Sequence, residues 1–451
     1  MDLNTTARQI AEVAHSLGLR PGAVHFEIVP AHIIYEFGAY GLPGRFSHWT
    51  MGKAYDRMKT LHDHGLTKIL ELAINADPVY GFLLDTNSDL ENKLVMAHVL
   101  GHADTSRNNA YYQQTNKDML DIANLHANRL ARYTTKHGDK KVEEFLDCVL
   151  SLVSNIDPNQ YIKPRKPEEK KPKAKETDYD DLWGYTTPVE ITPSFPEHPE
   201  RDILYFLMEH SPTLEDWQRD IIGIIRQEAY YFLPQMRTKI LAEGWATYWH
   251  NTICHEMDLN DREYIDFARL HSAIIHPNPL SLNPYRLGYF LFKDIERRWN
   301  GKLEDYERKE YKEKGWDIME GQGREKIFEV ANLCDDQSFI RNYLSRKCIE
   351  DSKTYLYGEE NKVLVITETD WEVIRNGLAN SLANLGLPVI EIVDANYEKK
   401  GQLLLEHRYE GLELKSDWAD KTLKNLTKLW GRGVYLRTRK NDREVTLYAG
   451  V

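Results

Sequence analysis

What this chain of 451 residues lacks narrows its function before any motif is read. Cysteine is scarce: Cys148, Cys254, Cys334 and Cys348 stand far apart with no C-x-x-C pair, which excludes a disulfide framework and fits a reducing compartment. No run approaches the roughly 20 apolar residues needed to span a bilayer. Residues 1–9, MDLNTTARQ, lack the apolar core of a signal peptide. The expectation is a cytoplasmic protein without membrane insertion. Positive charge is also short, with Lys+Arg 58 against Asp+Glu 70 and a net charge of -12, so no nucleic-acid partner is expected.

What is present is the composition of a soluble globular protein, 41% hydrophobic and 28% charged, long enough for two or three domains. Many of its 26 tyrosines and 10 tryptophans fall inside helical patterns, as Tyr230, Tyr231 and Trp245 do, and read as aromatic core packing.

Two distant segments read as halves of one metal site: AHVLGH at residues 97–102 and AEGWATYWH at residues 242–250. On a helix, His98 and His102 stand one turn apart on one face, the spacing zinc metallopeptidases use for two ligands, and Glu243 from a second helix supplies the third. Two imidazoles and a carboxylate suit a divalent metal, zinc above others. The glutamate that follows the first histidine in H-E-x-x-H, and works there as general base, is replaced by Val99. Three candidates for the missing base are Glu228, His250 and Asp104. His250 lies seven residues after Glu243, two turns on, beside the ligands or in the substrate groove. Asp104 points about 200° away from His102 around the helix. Glu228 precedes Glu243 by fifteen residues, with Pro234 between them. Glu209 and His210, the run Asn108, Asn109, Tyr111 and Tyr112, and the loop residues His48 and Trp49 are further groups placed to meet a cleft.

Along the chain, residues 1–158 read as the first part of a helical domain carrying the histidine helix. Leu66 to Ile74 repeat at helical spacing until Asp77-Pro78. Residues 159–182 are a charged Pro/Lys-rich linker or loop. Residues 183–355 form the second part of the helical domain, with one long helix from Ser211 to about Met257, bent or interrupted at Pro234. Residues 356–451 order as strand, helix, strand, strand, helix, strand, strand, a small α+β domain of ferredoxin-like type with one extra strand.

These segments, with GLPGRFSHW at residues 41–49, YYFLPQ at residues 230–235 and QSFIRNYL at residues 337–344, resemble the SpoVR family, the stage V sporulation protein R family, over nearly the whole chain. The resemblance implies a bacterial cytoplasmic protein linked, in spore formers, to spore cortex formation. It implies as partners a PrkA-type serine protein kinase and a von Willebrand A-like protein. The Glu-Gly-Trp-Ala run is in addition similar to the segment that supplies the glutamate ligand in gluzincin-type metallopeptidases, onto which His98, His102 and Glu243 alone carry over. The expected architecture is therefore a mainly α-helical, gluzincin-like domain followed by the small α+β domain. The expected function is a metal-dependent amide hydrolase or amide-transfer enzyme. The alternative is a non-catalytic scaffold or regulator in the kinase system, with a structural metal.

Overall fold

Short apolar runs fit a helix and a strand equally well, and long-range pairing decides between them. Of the run expected to be helical before Asp77-Pro78, Glu71 to Ile74 is extended instead, because Tyr80 to Leu83 pairs with it residue for residue. The computed structural model describes residues 2–64, 68–160, 195–360 and 363–450. The expected linker, beyond residue 160, lies outside the described residues.

In chain order the elements begin with helix α1 (Leu3–Ser16), strand β1 (Val24–Val29), helices α2 (Ala31–Tyr40) and α3 (Trp49–Asp63), and strands β2 (Glu71–Ile74) and β3 (Val79–Leu84). Helices α4 (Asp89–Asn108), α5 (Met119–His137), α6 (Asp139–Leu150), α7 (Ile203–His210), α8 (Asp216–Arg237), α9 (Lys239–Glu256), α10 (Asp261–Ile274) and α11 (Pro284–Trp299) follow. Then come α12 (Asp305–Lys314), α13 (Gly323–Leu333), α14 (Asp336–Tyr343) and α15 (Arg346–Ser352). The chain closes with β4 (Leu356–Glu360), β5 (Val363–Glu368), α16 (Trp371–Ser381), β6 (Ile390–Tyr397), β7 (Gln402–His407), α17 (Ser416–Trp430), β8 (Val434–Lys440) and β9 (Arg443–Ala449). None of the described helices is long and apolar enough to cross a membrane.

Two units result, residues 1–139 with 230–386, and residues 140–229 with 387–451. The first holds a three-stranded sheet in the order β1-β3-β2, with β1 parallel and β2 antiparallel to β3. Its core gathers α4, α9 and α11 around Trp245, Trp249, Phe292 and Phe339, each fully buried, so the aromatic load does serve packing. A Ser88–Glu91 capping box opens α4 by satisfying its first free N–H groups. The expected interruption at Pro234 falls four residues later: α8 runs through the proline, and Thr238 separates it from α9. Asp336 of α14 accepts from the Ile240 and Leu241 N–H groups at 2.9 and 2.8 Å, capping α9 where no local side chain does.

From β5 onward the element types follow the sequence, but β4 is a strand it did not anticipate, and the assembly differs as well. The β4–β5 hairpin and α16 cluster with the first unit, whereas the expected domain began at residue 356. The second unit carries β6-β7-β8-β9 in that order, β7 and β8 parallel and the other pairs antiparallel. In the ferredoxin-like split βαβ another strand lies between the two parallel ones. Here β7 and β8 are direct neighbours joined through α17, so the ferredoxin-like expectation is corrected to a four-stranded sheet with one crossover helix. Leu423, Leu426, Leu429 and Trp430 of α17 are buried.

Candidate metal centre

Three helices approach closely enough to bring their polar side chains together because glycines line the contacts. A Cβ on Gly101 of α4 would lie 2.6 Å from the Ala246 Cα of α9, and one on Gly244 of α9 would lie 2.3 Å from the Gly288 Cα of α11. This explains why Gly precedes the second histidine and follows the glutamate. Across the first contact, Glu243 Oε2 sits 3.5 Å from His98 Nε2 and 3.3 Å from His102 Nε2. The two imidazoles meet edge to face, 4.7 Å between centroids.

A fourth group comes from a strand. Glu71 Oε1 on β2 is 3.5 Å from His98 Nε2, and one ligand atom from each of Glu71, His98 and His102 lies within 4.8 Å of the others. Sequence reasoning missed Glu71 because its strand had been read as helix. The turn at Asp77-Pro78 between two apolar runs was the signal that could have found it. Oε2 of Glu71 and Oε2 of Glu243 are buried without a hydrogen-bond partner. Glu243 Oε2 thus stands close to two ring nitrogens yet is aligned for hydrogen bonding with neither, which is how donors face a shared cation. A tetrahedron of bonds of about 2.0–2.1 Å has edges of about 3.3–3.4 Å, matching the 3.3 and 3.5 Å separations. The donor set fits a divalent metal.

Electrostatics follow from burial and charge. Burial pushes the Glu71 carboxyl up, only partly offset by His98 and His102. Burial acts the same way on Glu243, but His102 and His98 outweigh it and hold that carboxyl well below its usual range. Burial lowers the His102 imidazole, and Glu243 with Glu71 more than reverses this, for a net upward shift. Tyr285, at the start of α11, stacks over His98 at 5.9 Å. Burial and then the charges of Glu243 and Glu71 raise its phenol. The sequence held a local sign of this position, Asn283 capping a helix that begins with Pro284, but nothing tied it to the histidines.

Of the three base candidates, His250 touches the cluster: its Nδ1 is 3.0 Å from His98 Nδ1. Asp104 is occupied elsewhere, accepting from Arg20 N at 2.6 Å, Trp245 Nε1 at 2.9 Å and Asn108 Nδ2 at 3.0 Å. Glu228 lies on the part of α8 that belongs to the second unit, as Glu209 and His210 do. Tyr112 lines the cavity at the cluster, its hydroxyl accepting from Thr238 Oγ1 at 3.2 Å. Asn109 holds the Ala331 and Cys334 carbonyls, and Tyr111 lies under Arg237 at 4.3 Å. His48 caps α3 and Trp49 is half exposed.

The cavity measures about 550 Å³, and residues 68–75 form one wall of it. That wall is the edge strand β2. Leu84 N donates to Leu70 O, so by the alternation of antiparallel pairing Glu71 and Ala73 turn their own N–H and C=O to the open side. Asn75 Nδ2, at the end of this wall, is buried without a partner, while its Oδ1 accepts from Lys117.

Comparison with known proteins agrees along the whole chain. A family model described as SpoVR like protein matches residues 1–387, and one described as SpoVR-like C-terminal domain matches residues 388–441. The uncharacterized protein YcgB of Escherichia coli (strain K12) is 27% identical, covering 91% of this chain and 86% of its own length. No solved structure matches.

Proposed function

This chain belongs to the SpoVR family, and we propose that it is a metal-dependent enzyme acting on amide bonds, by hydrolysis or transfer, with His98, His102 and Glu243 holding zinc on a mainly helical, gluzincin-like domain. The observation that carries the reading is that Glu71 and Glu243 each set a carboxylate oxygen 3.5 Å from His98 Nε2, Glu243 also 3.3 Å from His102 Nε2, with the Oε2 of each buried without a hydrogen-bond partner. Such oxygens are costly unless a cation meets them. A zinc ion held there supplies Lewis acidity towards an amide carbonyl.

The chain's own residues supply the rest. Glu71 stands in for the glutamate missing at Val99, its carboxyl, raised by burial, serving to take and return a proton. Tyr285 presents a protonated hydroxyl beside the carboxylates, a donor to a developing oxyanion. The open edge of β2 suits a substrate whose amides lie in an extended chain, paired to Glu71 and Ala73, with Asn75 Nδ2 as a further donor. From the family we carry over, as part of the same proposal, a cytoplasmic setting, a link to spore cortex formation in spore formers, and partnership with a PrkA-type serine kinase and a von Willebrand A-like protein.

One observation favours the scaffold reading. Glu71 is as near to His98 as Glu243 is, and four protein ligands close a structural zinc site. Elemental analysis of wild type, His98→Ala and Glu243→Ala tests for the metal, and stoichiometric zinc in both variants would end either reading. Glu71→Gln separates them. The enzyme reading expects retained zinc and failed complementation of a deletion strain; lost zinc assigns Glu71 to a closed structural site.

A further inference from the structure

Buried histidines in a row constrain one another through single protons, because a neutral imidazole carries one N–H and one lone pair. His98 of α4, His250 of α9 and His271 of α10 form such a row. His98 Nδ1 is 3.0 Å from His250 Nδ1, and His250 Nε2 is 2.9 Å from His271 Nδ1. With one proton per ring, only two arrangements satisfy both hydrogen bonds. In the first, His98 Nδ1 donates to His250 Nδ1 and His250 Nε2 donates to His271 Nδ1, which leaves His98 Nε2 bare towards Glu71 and Glu243. In the second, donors and acceptors exchange, and His98 Nε2 carries its proton towards the same carboxylates, 3.5 Å from each. A cation at His98 Nε2 is compatible with the first alone.

We propose that His250 and His271 are positioning residues that set the tautomer of His98, so that metal occupancy is written into the tautomer of His271, two hydrogen bonds away. The proposal rests on the metal reading above. Its proton balance closes. On metal binding one proton leaves His98 Nε2, one passes from His250 Nδ1 to His98 Nδ1, one passes from His271 Nδ1 to His250 Nε2, and His271 Nε2 takes one from solvent. The geometry is held by packing: His250 is fully buried, and the His271 ring stacks on Phe267 at 6.0 Å and meets the edge of Tyr289 at 5.1 Å. His271, at 9% exposure, is the most exposed member of the row.

The test uses the full chain with ¹⁵N-labelled histidine, stripped by chelator and titrated with zinc, with metal content measured on the same samples. The His271 signals, assigned by their loss in His271→Gln, are expected to change from the Nδ1–H to the Nε2–H pattern at one equivalent. Zinc uptake with His271 unchanged overturns the proposal and leaves the metal reading standing. Absence of uptake overturns the metal reading and the proposal with it. Two variants add a second readout, zinc affinity measured against a fluorescent chelator. His271→Phe is expected to weaken binding roughly 10- to 100-fold, and His271→Gln, which keeps an amide donor and acceptor, to recover most of that loss. Equal affinity in all three proteins, or equal loss in both variants, overturns the proposal.

Discussion

The two units bury polar groups to different ends. In the second unit they close on partners: Arg226 Nε on Asp202 Oδ2 at 2.8 Å, His407 Nδ1 with Thr438 Oγ1 at 2.9 Å, Ser211 Oγ on the Leu429 carbonyl at 2.7 Å and Trp430 Nε1 on the Gly401 carbonyl at 2.8 Å. Among its described residues, one buried side-chain atom lacks a partner, the uncharged Gln402 Oε1. In the first unit the unpaired atoms include carboxylate oxygens of Glu71 and Glu243, set against imidazoles. Satisfied networks are architecture. A buried polar atom left without a hydrogen bond costs stability, and two such atoms belong to the carboxylates that border the imidazoles.

The strongest way to break this contrast is Glu243→Ala. Zinc should raise the melting temperature of the wild type, because binding to the folded state alone contributes about 4 kcal/mol at a thousandfold excess over Kd. Scanning fluorimetry of the variant should show no zinc shift, and an undiminished one would remove the first unit's special status. Next comes Asp104→Ala, which leaves the buried Trp245 Nε1 and Arg20 N without their acceptor. Urea unfolding should show a loss of about 1–3 kcal/mol per orphaned group, with zinc stoichiometry unchanged. Lost zinc would place Asp104 in the site after all.

A smaller effect is expected from pH. In chelator-treated protein the Glu243 carboxyl is lowered, so its contribution is present above 4.5, the ordinary value, and fades as pH falls through the lower folded value. His102 is raised, so its contribution is complete below 6.5 and is lost as pH rises through the higher folded value. Metal-free stability should therefore be greatest between these limits, and Glu243→Gln should flatten the profile. A wild-type profile already flat would mean the pair does not interact. The smallest effect sharpens the other side: Lys424→Ala in the second unit removes an exposed pair with Asp420 and should change stability by less than about 1 kcal/mol, with no effect on zinc binding.

Part of the site could be read directly from the chain. His98 and His102 are one helical turn apart, so local geometry alone puts them on one face, and the boundaries of α4 follow from the Ser88 cap. Glu71 was hidden because Leu70 to Ile74 is too short a run for periodicity to separate strand from helix, and its partner β3 settles the question only in three dimensions. The row through His250 was invisible for a similar reason: His271 sits on another helix, 21 residues on. In the second unit each strand and α17 could be recognised one at a time, but which strands became neighbours depends on pairing that no local pattern encodes.

Gly101 lies against the backbone of Ala246 and Gly244 against Gly288, so the spacing between the imidazoles and Glu243 is fixed by main chain rather than by the reach of side chains. Rotamers exchange readily, but packed backbones do not. On the proposed metal reading the cluster would act as a gauge of ionic radius: bonds of about 2.0–2.2 Å would bridge it, while an ion needing about 2.3–2.6 Å would have to force two helices apart. Selection among ions would then fall to glycines that touch none of them.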